Sequence, residues 1–216
     1  MLKKQGERRE DSVDESAQLA KRLVDVTLSS FLLILTCPLQ LVLVGLVRLD
    51  SSGPAVFRSE RLGQDGRPFT MLKFRTMVEG AHLNYEDVVK KNPQAVNGVL
   101  FKDPADERMT GFGRILRRSS LDELPQLWNV LVGDMSLVGP RPAFPSEMRK
   151  LDDVAKKRLS VKPGLTGLWQ VSGRSSLPFS KAIELDLHYV DNASIWLDFK
   201  ILLATIPAVI SRRGAF

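Results

Sequence analysis

An apolar run from Leu23 to Val47 constrains the fold of this chain more than any other segment. About 20 apolar residues are enough to cross a bilayer as one helix, so the length of the run permits a membrane-spanning segment. The alternative is a core helix of a soluble protein, but the run has too little polar surface for a helix with one solvated face. The sequence therefore predicts a membrane-associated helix.

Pro38 lies inside this run, and proline both removes a backbone hydrogen bond and clashes with the preceding helical turn. A break there leaves halves over residues 23–36 and 39–48, which are about 21 and 15 Å long at 1.5 Å per residue. Neither half crosses a hydrocarbon core of about 30 Å. Hydropathy alone leaves open whether the helix spans the membrane or turns back within it.

Basic residues lie on both sides of the run, and basic segments tend to remain in the cytoplasm. We therefore predict a re-entrant helix over residues 21–48, broken at Pro38, with both of its ends on the cytoplasmic side. Residues 1–20 are predicted to be a polar mobile tail, and residues 49–216 a folded domain on the cytoplasmic face. The basic residues on which this rests are Lys3, Lys4, Arg8, Arg9, Lys21, Arg22 and Arg48.

The net charge of +6 and the pI of about 9.6 fit a protein that binds a membrane surface, nucleic acid or phosphorylated substrates. The charge does not choose among these partners. A single cysteine, Cys37, excludes an intramolecular disulfide. No Walker A, H-E-x-x-H or cysteine-rich metal motif occurs in the sequence, so classical nucleotide-triphosphate and zinc sites are not indicated.

Two extended runs follow the apolar segment, A-V-F-R-S-E-R-L-G and R-P-F-T-M-L-K-F-R-T-M, and the residues Q-D-G join them. The dipeptide Asp65–Gly66 is typical of a hairpin turn. In the second run Lys73 and Arg75 are two residues apart, which places them on one face of a strand. Such a pair is either a solvated edge or part of an anion-binding surface.

The stretch from Arg117 to Pro142 contains the pattern of an amphipathic helix. Ser119 or Ser120 is a candidate N-cap, with Glu123 at the spacing of a capping box, so Asp122 and Glu123 are expected in the first helical turn. The apolar stripe that follows recurs every three or four residues, at Leu121, Leu124, Leu127, Trp128 and Leu131.

Arginines frame the two carboxylates, with Arg118 shortly before them and Arg141 after them in the sequence G-P-R-P. Carboxylates near a helix start and guanidinium groups around them could hold a divalent cation and a phosphorylated ligand together. From these residues alone the alternative remains open that Asp122 and Glu123 serve only as helix-capping residues.

The C-terminal third contains a loop, two predicted helices and no internal repeat. Pro163, Gly164, Gly167 and Gly173 impose turns on the loop, which ends at Arg174. The first helix contains Asp186 in K-A-I-E-L-D-L-H-Y-V. The second is amphipathic and is predicted to lie in the membrane interface, anchored by its aromatic and basic residues Trp196, Arg212 and Arg213.

Four blocks in order resemble the bacterial sugar transferase family, the monotopic polyprenyl-phosphate phosphoglycosyl transferases. They are K-F-R-T-M, L-D-E-L-P-Q-L-W-N-V-L-V-G-D-M-S-L-V-G-P-R-P, P-G-L-T-G-L-W-Q-V-S-G-R and E-L-D, within residues 20–213. The resemblance is to the small, catalytic-domain-only type, because the extra multi-spanning region of larger members does not precede these blocks. It implies an α+β, mostly helical, membrane-associated monotopic domain with an N-terminal re-entrant helix, a short β-hairpin and interfacial amphipathic helices.

The resemblance implies transfer of a sugar 1-phosphate from a nucleotide diphosphate sugar, usually a UDP-sugar, to undecaprenyl phosphate. Asp122 is then the expected nucleophile, forming an aspartyl phosphosugar, and Glu123 places Mg²⁺ or handles the proton of the lipid phosphate. Asp122 and Glu123 are both expected metal ligands, and Asp186 is a supporting acid. The expected phosphate contacts are Lys73, Arg75, Arg118, Arg141 and Arg174.

The family also implies a place in the bacterial inner membrane, with undecaprenyl phosphate, a nucleotide sugar and membrane lipids as partners and a possible homo-oligomer. Two other readings remain. A non-catalytic membrane scaffold is disfavoured because the D-E pair and G-P-R-P are intact. A nucleic-acid binder is supported by the pI alone, and no recognition motif accompanies it.

Overall fold

The computed structural model of the protein describes residues 2–81, 106–149 and 151–212, with side chains from Ser16 onward. Within these ranges the helices are α1 (Leu2–Asp50), α2 (Gly111–Ser119), α3 (Gln126–Val132), α4 (Pro145–Met148), α5 (Asp153–Lys156), α6 (Leu168–Ser172), α7 (Phe179–Asp191) and α8 (Ile195–Ile210). The strands are β1 (Val56–Leu62), β2 (Pro68–Phe74), β3 (Ser136–Val138) and β4 (Gly164–Thr166). The prediction of a mostly helical α+β chain with a short hairpin and a long apolar N-terminal helix is confirmed.

Helix α1 differs from the sequence prediction at two points. It continues through Pro38 instead of breaking there, and its helical backbone reaches back to Leu2, into the residues predicted to be a mobile tail. Side-chain hydrogen bonds support the turn around the proline: the hydroxyl of Thr36 donates to the carbonyl of Leu32 (2.7 Å) and accepts from Gln40 (3.0 Å).

Only one face of α1 packs on the rest of the protein. Asp25 and Ser29 are buried four residues apart, and Leu43 and Val47 repeat that spacing near the end of the helix. The opposite face exposes large apolar side chains: Leu23, Phe31, Ile34, Leu35, Leu41 and Val42. By length and composition α1 could cross a membrane.

The antiparallel hairpin of β1 and β2 turns at Gln64–Gly66. Asp65 and Gly66 both have positive φ angles, +56° and +74°, as the predicted D-G turn requires. In the ladder Phe57 lies opposite Lys73, and Arg61 lies opposite Phe69. The pairing of β1 with β2 therefore fixes the positions of Lys73 and Arg61 along the hairpin.

Strands β3 and β4 pair in parallel and bring the G-P-R-P segment against the P-G-L-T-G loop. The two backbones approach so closely that a Cβ on Gly139 would lie 2.4 Å from the carbonyl oxygen of Lys162, and one on Gly164 would lie 2.1 Å from the nitrogen of Gly139. Only glycine fits these positions. The core beside them consists of Met71, Leu127, Val130, Met135, Leu137, Val138, Tyr189 and Ile201.

Two predictions lie outside the described residues. Most of the polar interval over residues 78–110, interpreted either as a substrate-selecting lid or as an insertion, falls in the gap from 82 to 105. Arg213, one of the predicted interfacial anchors, also falls outside, whereas α8 and Trp196 are described.

Candidate active site

Asp122 and Glu123 lie in a short 3₁₀ turn, Leu121–Glu123, and not in the first turn of an α-helix. Ser120 occupies the N-cap position of this turn, but its side chain makes no capping hydrogen bond, so the predicted capping box is wrong. Ser119 still belongs to α2, Ser120 ends that helix with a φ angle of +57°, and Pro125 occupies the N-cap position of α3. Proline is tolerated at the start of a helix and breaks its interior, so α3 begins only after Pro125.

Asn129 in α3 fixes this turn against the hairpin. Its side-chain oxygen accepts from the backbone N–H of Leu72 (3.0 Å), and its amide nitrogen donates to the carbonyl of Thr70 (2.8 Å). Asn129 is fully buried and substitutes for a neighbouring strand along the edge of β2. The register between the strand bearing Lys73 and the turn bearing Asp122 is set in this way.

Lys73 and the two carboxylates form a compact cluster. The lysine Nζ lies 2.7 Å from Oε1 of Glu123 and 3.9 Å from Oδ2 of Asp122. Asp122 is buried, whereas the side chain of Glu123 is 36% exposed. One ammonium therefore faces two carboxylates, and the more buried carboxylate is the one farther from it.

Arg117, and not Arg118, is the arginine that faces Asp122. Its Nε donates to the hydroxyl of Thr76 (2.9 Å), and burial lowers the pKa of Arg117, while the charge of Asp122 is the strongest opposing influence. Arg118 is exposed. Arg174 reaches the same turn from the other side, because its Nη1 donates to the hydroxyl of Ser120 (2.9 Å).

Arg75 does not join this cluster, although it is two residues from Lys73. β2 ends at Phe74, and the guanidinium of Arg75 turns instead to the end of α1. There it is buried and donates to the carbonyl oxygens of Val47, Ser51 and Pro54. The structure thus assigns Arg75 to capping the C-terminus of α1, where a cation is favourable.

Arg141 lies on the G-P-R-P side of the site. Its Nη1 is 3.4 Å from both carboxylate oxygens of the buried Glu147, and its guanidinium lies 5.9 Å from the ring centre of Trp169. Nothing in the sequence pattern distinguished Glu147. The carboxylate also accepts from the backbone N–H of Phe144 (3.0 Å), which fixes the loop that carries the arginine.

Asp186 supports this loop indirectly. It forms a buried ion pair with Arg158, whose Nη2 also donates to the carbonyl of Arg141 (2.9 Å). Burial raises the pKa of Asp186 to about 6 and lowers the pKa of Arg158. Sequence reasoning missed Arg158, because its partners are far away in the chain.

Polar side chains near the start of the apolar segment attach α1 to the site. Arg22 donates to the carbonyl oxygens of Val130 and Leu131 (both 2.7 Å), which completes the C-terminus of α3. Asp25 accepts from the backbone N–H of Leu137 (2.9 Å). Arg22, predicted only as part of a basic flank, therefore connects α1 to the helix that follows Asp122, and Asp25 connects α1 to β3.

Comparison with known protein families identifies the family to which a chain with this site belongs. The model of the family described as bacterial sugar transferase matches residues 16–212, which include α1 from Ser16 onward, the hairpin and the whole site. The chain belongs to the bacterial sugar transferase family. The prediction drawn from the four sequence blocks is confirmed.

Curated bacterial sugar transferases resemble the chain over most of its length. The exopolysaccharide production protein ExoY of Sinorhizobium fredii is 41% identical over 200 residues, which cover 92% of this chain and 88% of that protein. The undecaprenyl-phosphate galactose phosphotransferase of Salmonella typhimurium is 41% identical over 203 residues, covering 93% of this chain and 42% of that protein. The galactosyl transferase CpsE of Streptococcus agalactiae is 42% identical, and the match spans 43% of it. The chain therefore spans less than half the length of some relatives and most of the length of others.

The sugar transferase site offers oxygen ligands for a hard cation. Among the described side chains, no group of three or more His, Cys, Asp and Glu residues is arranged to hold a metal. Mg²⁺, however, is commonly bound by one or two carboxylates together with substrate phosphates. The adjacent carboxylates of Asp122 and Glu123 fit that mode of binding, in which the substrate completes the coordination.

Proposed function

We propose that the protein transfers a sugar 1-phosphate from a UDP-sugar to undecaprenyl phosphate and releases the nucleoside monophosphate. The observation that carries this proposal is a buried carboxylate, Asp122, next to Glu123, with the Nζ of Lys73 3.9 Å from it and Arg174 bonded to Ser120 in the adjoining residues. Two relatives support the acceptor by name, the Salmonella enzyme and a UDP-glucose:undecaprenyl-phosphate glucose-1-phosphate transferase of Klebsiella pneumoniae. The latter also supports a UDP-sugar as the donor.

In the first half-reaction a carboxylate oxygen of Asp122 attacks the phosphorus that bears the sugar. An O–P bond to the aspartate forms as the phosphoanhydride bond breaks, and the bridging oxygen leaves with the nucleoside monophosphate. In the second half-reaction an oxygen of undecaprenyl phosphate attacks the same phosphorus and restores the carboxylate. Glu123 takes the proton that the lipid phosphate carries, if it arrives protonated.

The cations of the site act on the negative charge that would otherwise repel the carboxylate. Lys73 lies 3.9 Å from Asp122, the charge of Asp122 acts on Arg117, and Arg174 contacts Ser120 beside them, while Arg141 lies on the G-P-R-P side of the site. Fixed positive groups in a partly dry site stabilise charge that develops on phosphate oxygens. Mg²⁺ held by Asp122 and Glu123 together with the substrate phosphates would supply further charge screening when bound.

A screen of nucleotide sugars tests the proposed reaction. The purified protein in detergent is incubated with each UDP-sugar, undecaprenyl phosphate and Mg²⁺, and the nucleoside monophosphate is quantified. We expect repeated turnover with at least one UDP-sugar only when all three components are present, and release of no more than about one equivalent per active site when the lipid is left out. No release with any donor would contradict the proposal and favour the non-catalytic scaffold.

We further propose that α1 and α8 hold the protein on the inner membrane, with the site on the cytoplasmic face. α8 exposes a second apolar surface, on which the rings of Trp196 and Phe199 stack 5.8 Å apart and Lys200 lies 5.2 Å from the Trp196 ring. Aromatic and basic residues together favour the headgroup region. This position brings Asp122 to the level at which a polyprenyl phosphate presents its phosphate.

We propose that α1 is re-entrant through a bend at Pro38, where its backbone stays helical, and this topology predicts a labelling result. In a Cys37→Ser background, the cysteine of a Gln5→Cys variant should resist an impermeant maleimide added to intact cells, because both ends of the helix stay in the cytoplasm. The same cysteine should react after the cells are permeabilised. Pro38→Ala should increase labelling in intact cells by favouring a straight, spanning helix. Full labelling from outside of the Gln5→Cys, Cys37→Ser protein that retains Pro38 would mean that α1 spans the membrane.

A further inference from the structure

Arg61 lies on the same face of the hairpin as Lys73. Residues opposite each other in an antiparallel pair share a face, and so do residues two and four apart along a strand. Phe57 lies opposite Lys73, and Arg61 is four residues further along β1. At about 3.3 Å per residue, the two cationic residues start about 13 Å apart along the strand.

The guanidinium of Arg61 is held firmly. Its Nη1 donates to the carbonyl of Pro142 (3.1 Å), its Nε donates to the hydroxyl of Ser59 (3.3 Å), and its central carbon lies 3.1 Å from the ring centre of Phe144. These contacts fix it against the G-P-R-P segment. Within the described part of the chain, its Nη2 donates no hydrogen bond, so one edge of the group remains available to a ligand.

A buried arginine normally pairs with a carboxylate, because an uncompensated buried charge is costly. Arg61 is 7% exposed, and none of the ion pairs among the described residues includes it. The two carboxylates that attract it most, Glu147 and Glu123, are already bonded to Arg141 and Lys73. This part of the site therefore carries more positive charge than its own carboxylates balance.

The charge state of Arg61 agrees with that description. Burial and then the nearby charge of Arg141 lower the pKa of Arg61 to about 9. Two guanidinium groups that repel each other in a partly dry site are stabilised when an anion binds between them. A phosphate has the charge and the oxygen geometry that a guanidinium fork matches.

We propose that Arg61 binds the leaving phosphate of the nucleotide sugar together with Arg141. This inference rests on the proposed function. Lys73 and Asp122 mark the end of the site where the bond to the sugar-bearing phosphorus forms. Arg61 lies further along the hairpin beside Arg141, and the leaving phosphate is the anionic group next to that phosphorus. The bond to be broken leaves its negative charge there, which is where a fixed cation assists the reaction.

The test compares phosphate-bearing with phosphate-free ligands in three variants. Arg61→Met keeps an apolar stem on Phe144 and removes the charge, Arg61→Lys keeps the charge and removes the fork, and Arg58→Met is the matched control. Arg58 is exposed on the opposite face of β1, and Arg58→Met changes the net charge by the same amount as Arg61→Met. Binding of UDP, of uridine and of magnesium pyrophosphate is measured by calorimetry in detergent, with the Tm of each variant.

We expect Arg61→Met to weaken UDP and pyrophosphate binding about ten- to hundredfold, the usual effect of a lost charge-assisted hydrogen bond. Uridine binding should not change, Arg61→Lys should lie between wild type and Arg61→Met, and Arg58→Met should resemble wild type. Equal losses for UDP and uridine with a lower Tm would make Arg61 a purely structural residue and overturn the proposal. The proposal would also be overturned if Arg61→Met bound pyrophosphate as tightly as the wild-type protein, or if the wild-type protein did not bind pyrophosphate. Because pyrophosphate carries no base or sugar, this result is separate from the nucleotide-sugar screen, whose failure alone would contradict the proposed reaction.

Discussion

Asp122→Asn is expected to abolish sugar-phosphate transfer while leaving the fold intact. Asparagine has nearly the same size and shape, and Lys73 keeps its closer partner, Glu123, at 2.7 Å. The amide is a far poorer nucleophile than the carboxylate, so we expect nucleoside monophosphate release to fall by at least about a thousandfold. The measurement is the rate of release with the best donor from the screen.

Asp153→Asn is the matched control for this substitution, because the Asp153 side chain is almost fully exposed and its one ion pair among the described residues is with Lys156 in α5. It should retain wild-type activity. Glu123→Gln should also reduce turnover strongly, since it removes the partner of Lys73 and one expected metal ligand. If Asp122→Asn kept most of its activity, Asp122 would not be the nucleophile.

Asn129→Leu is expected to destabilise the protein more than any other single change in the site. Leucine has a similar volume but leaves the N–H of Leu72 and the carbonyl of Thr70 without partners. Each unsatisfied buried group costs about 1–3 kcal/mol, so the total is about 2–6 kcal/mol. That is a large part of the roughly 5–15 kcal/mol by which a typical domain is stable.

The midpoint of urea unfolding in detergent measures this effect, and activity at low temperature measures whether the site is displaced. Asn192→Leu is the control, because Asn192 is exposed at the end of α7 and its loss should change the unfolding free energy by about 0.5 kcal/mol or less. An unchanged midpoint in Asn129→Leu would mean that the two bonds to β2 do not hold the site together.

Local patterns predicted the elements that depend on nearby residues. The D-G turn of the hairpin and the apolar character of α1 follow from the few residues that form them. The start of α3 was misplaced because the apolar spacing from Leu121 to Leu131 was given more weight than Pro125. A proline inside that pattern was the available signal, since proline limits a helix to starting near it.

Which arginine enters the site could not be predicted, because that depends on where each strand and helix ends. The spacing of two residues placed Arg75 beside Lys73, but β2 ends between them and Arg75 turns to α1. Adjacent residues in α2 point in different directions, and the structure directs Arg117 toward Asp122 and Arg118 outward. Arg61 lies outside the four blocks that carry the family resemblance.

The buried ion pair that supports the Arg141 loop also could not be predicted from the sequence. Asp186 was expected to be a supporting acid, but its partner Arg158 comes from a different turn, and their contact requires α7 to pack beside that turn. The pair acts on Arg141 through its backbone carbonyl, a link that no side-chain pattern records.

The central claim is that Asp122 becomes covalently linked to the sugar phosphate, and incubation without the lipid acceptor tests it most directly. The protein is mixed with Mg²⁺ and a UDP-sugar radiolabelled in the sugar, and the denatured protein is counted. We predict close to one labelled sugar phosphate per active site with matching release of nucleoside monophosphate, no label on Asp122→Asn, and transfer of the label when undecaprenyl phosphate is added. Unlabelled protein, together with intersecting double-reciprocal plots in steady state, would contradict this account and indicate direct transfer between the two bound substrates.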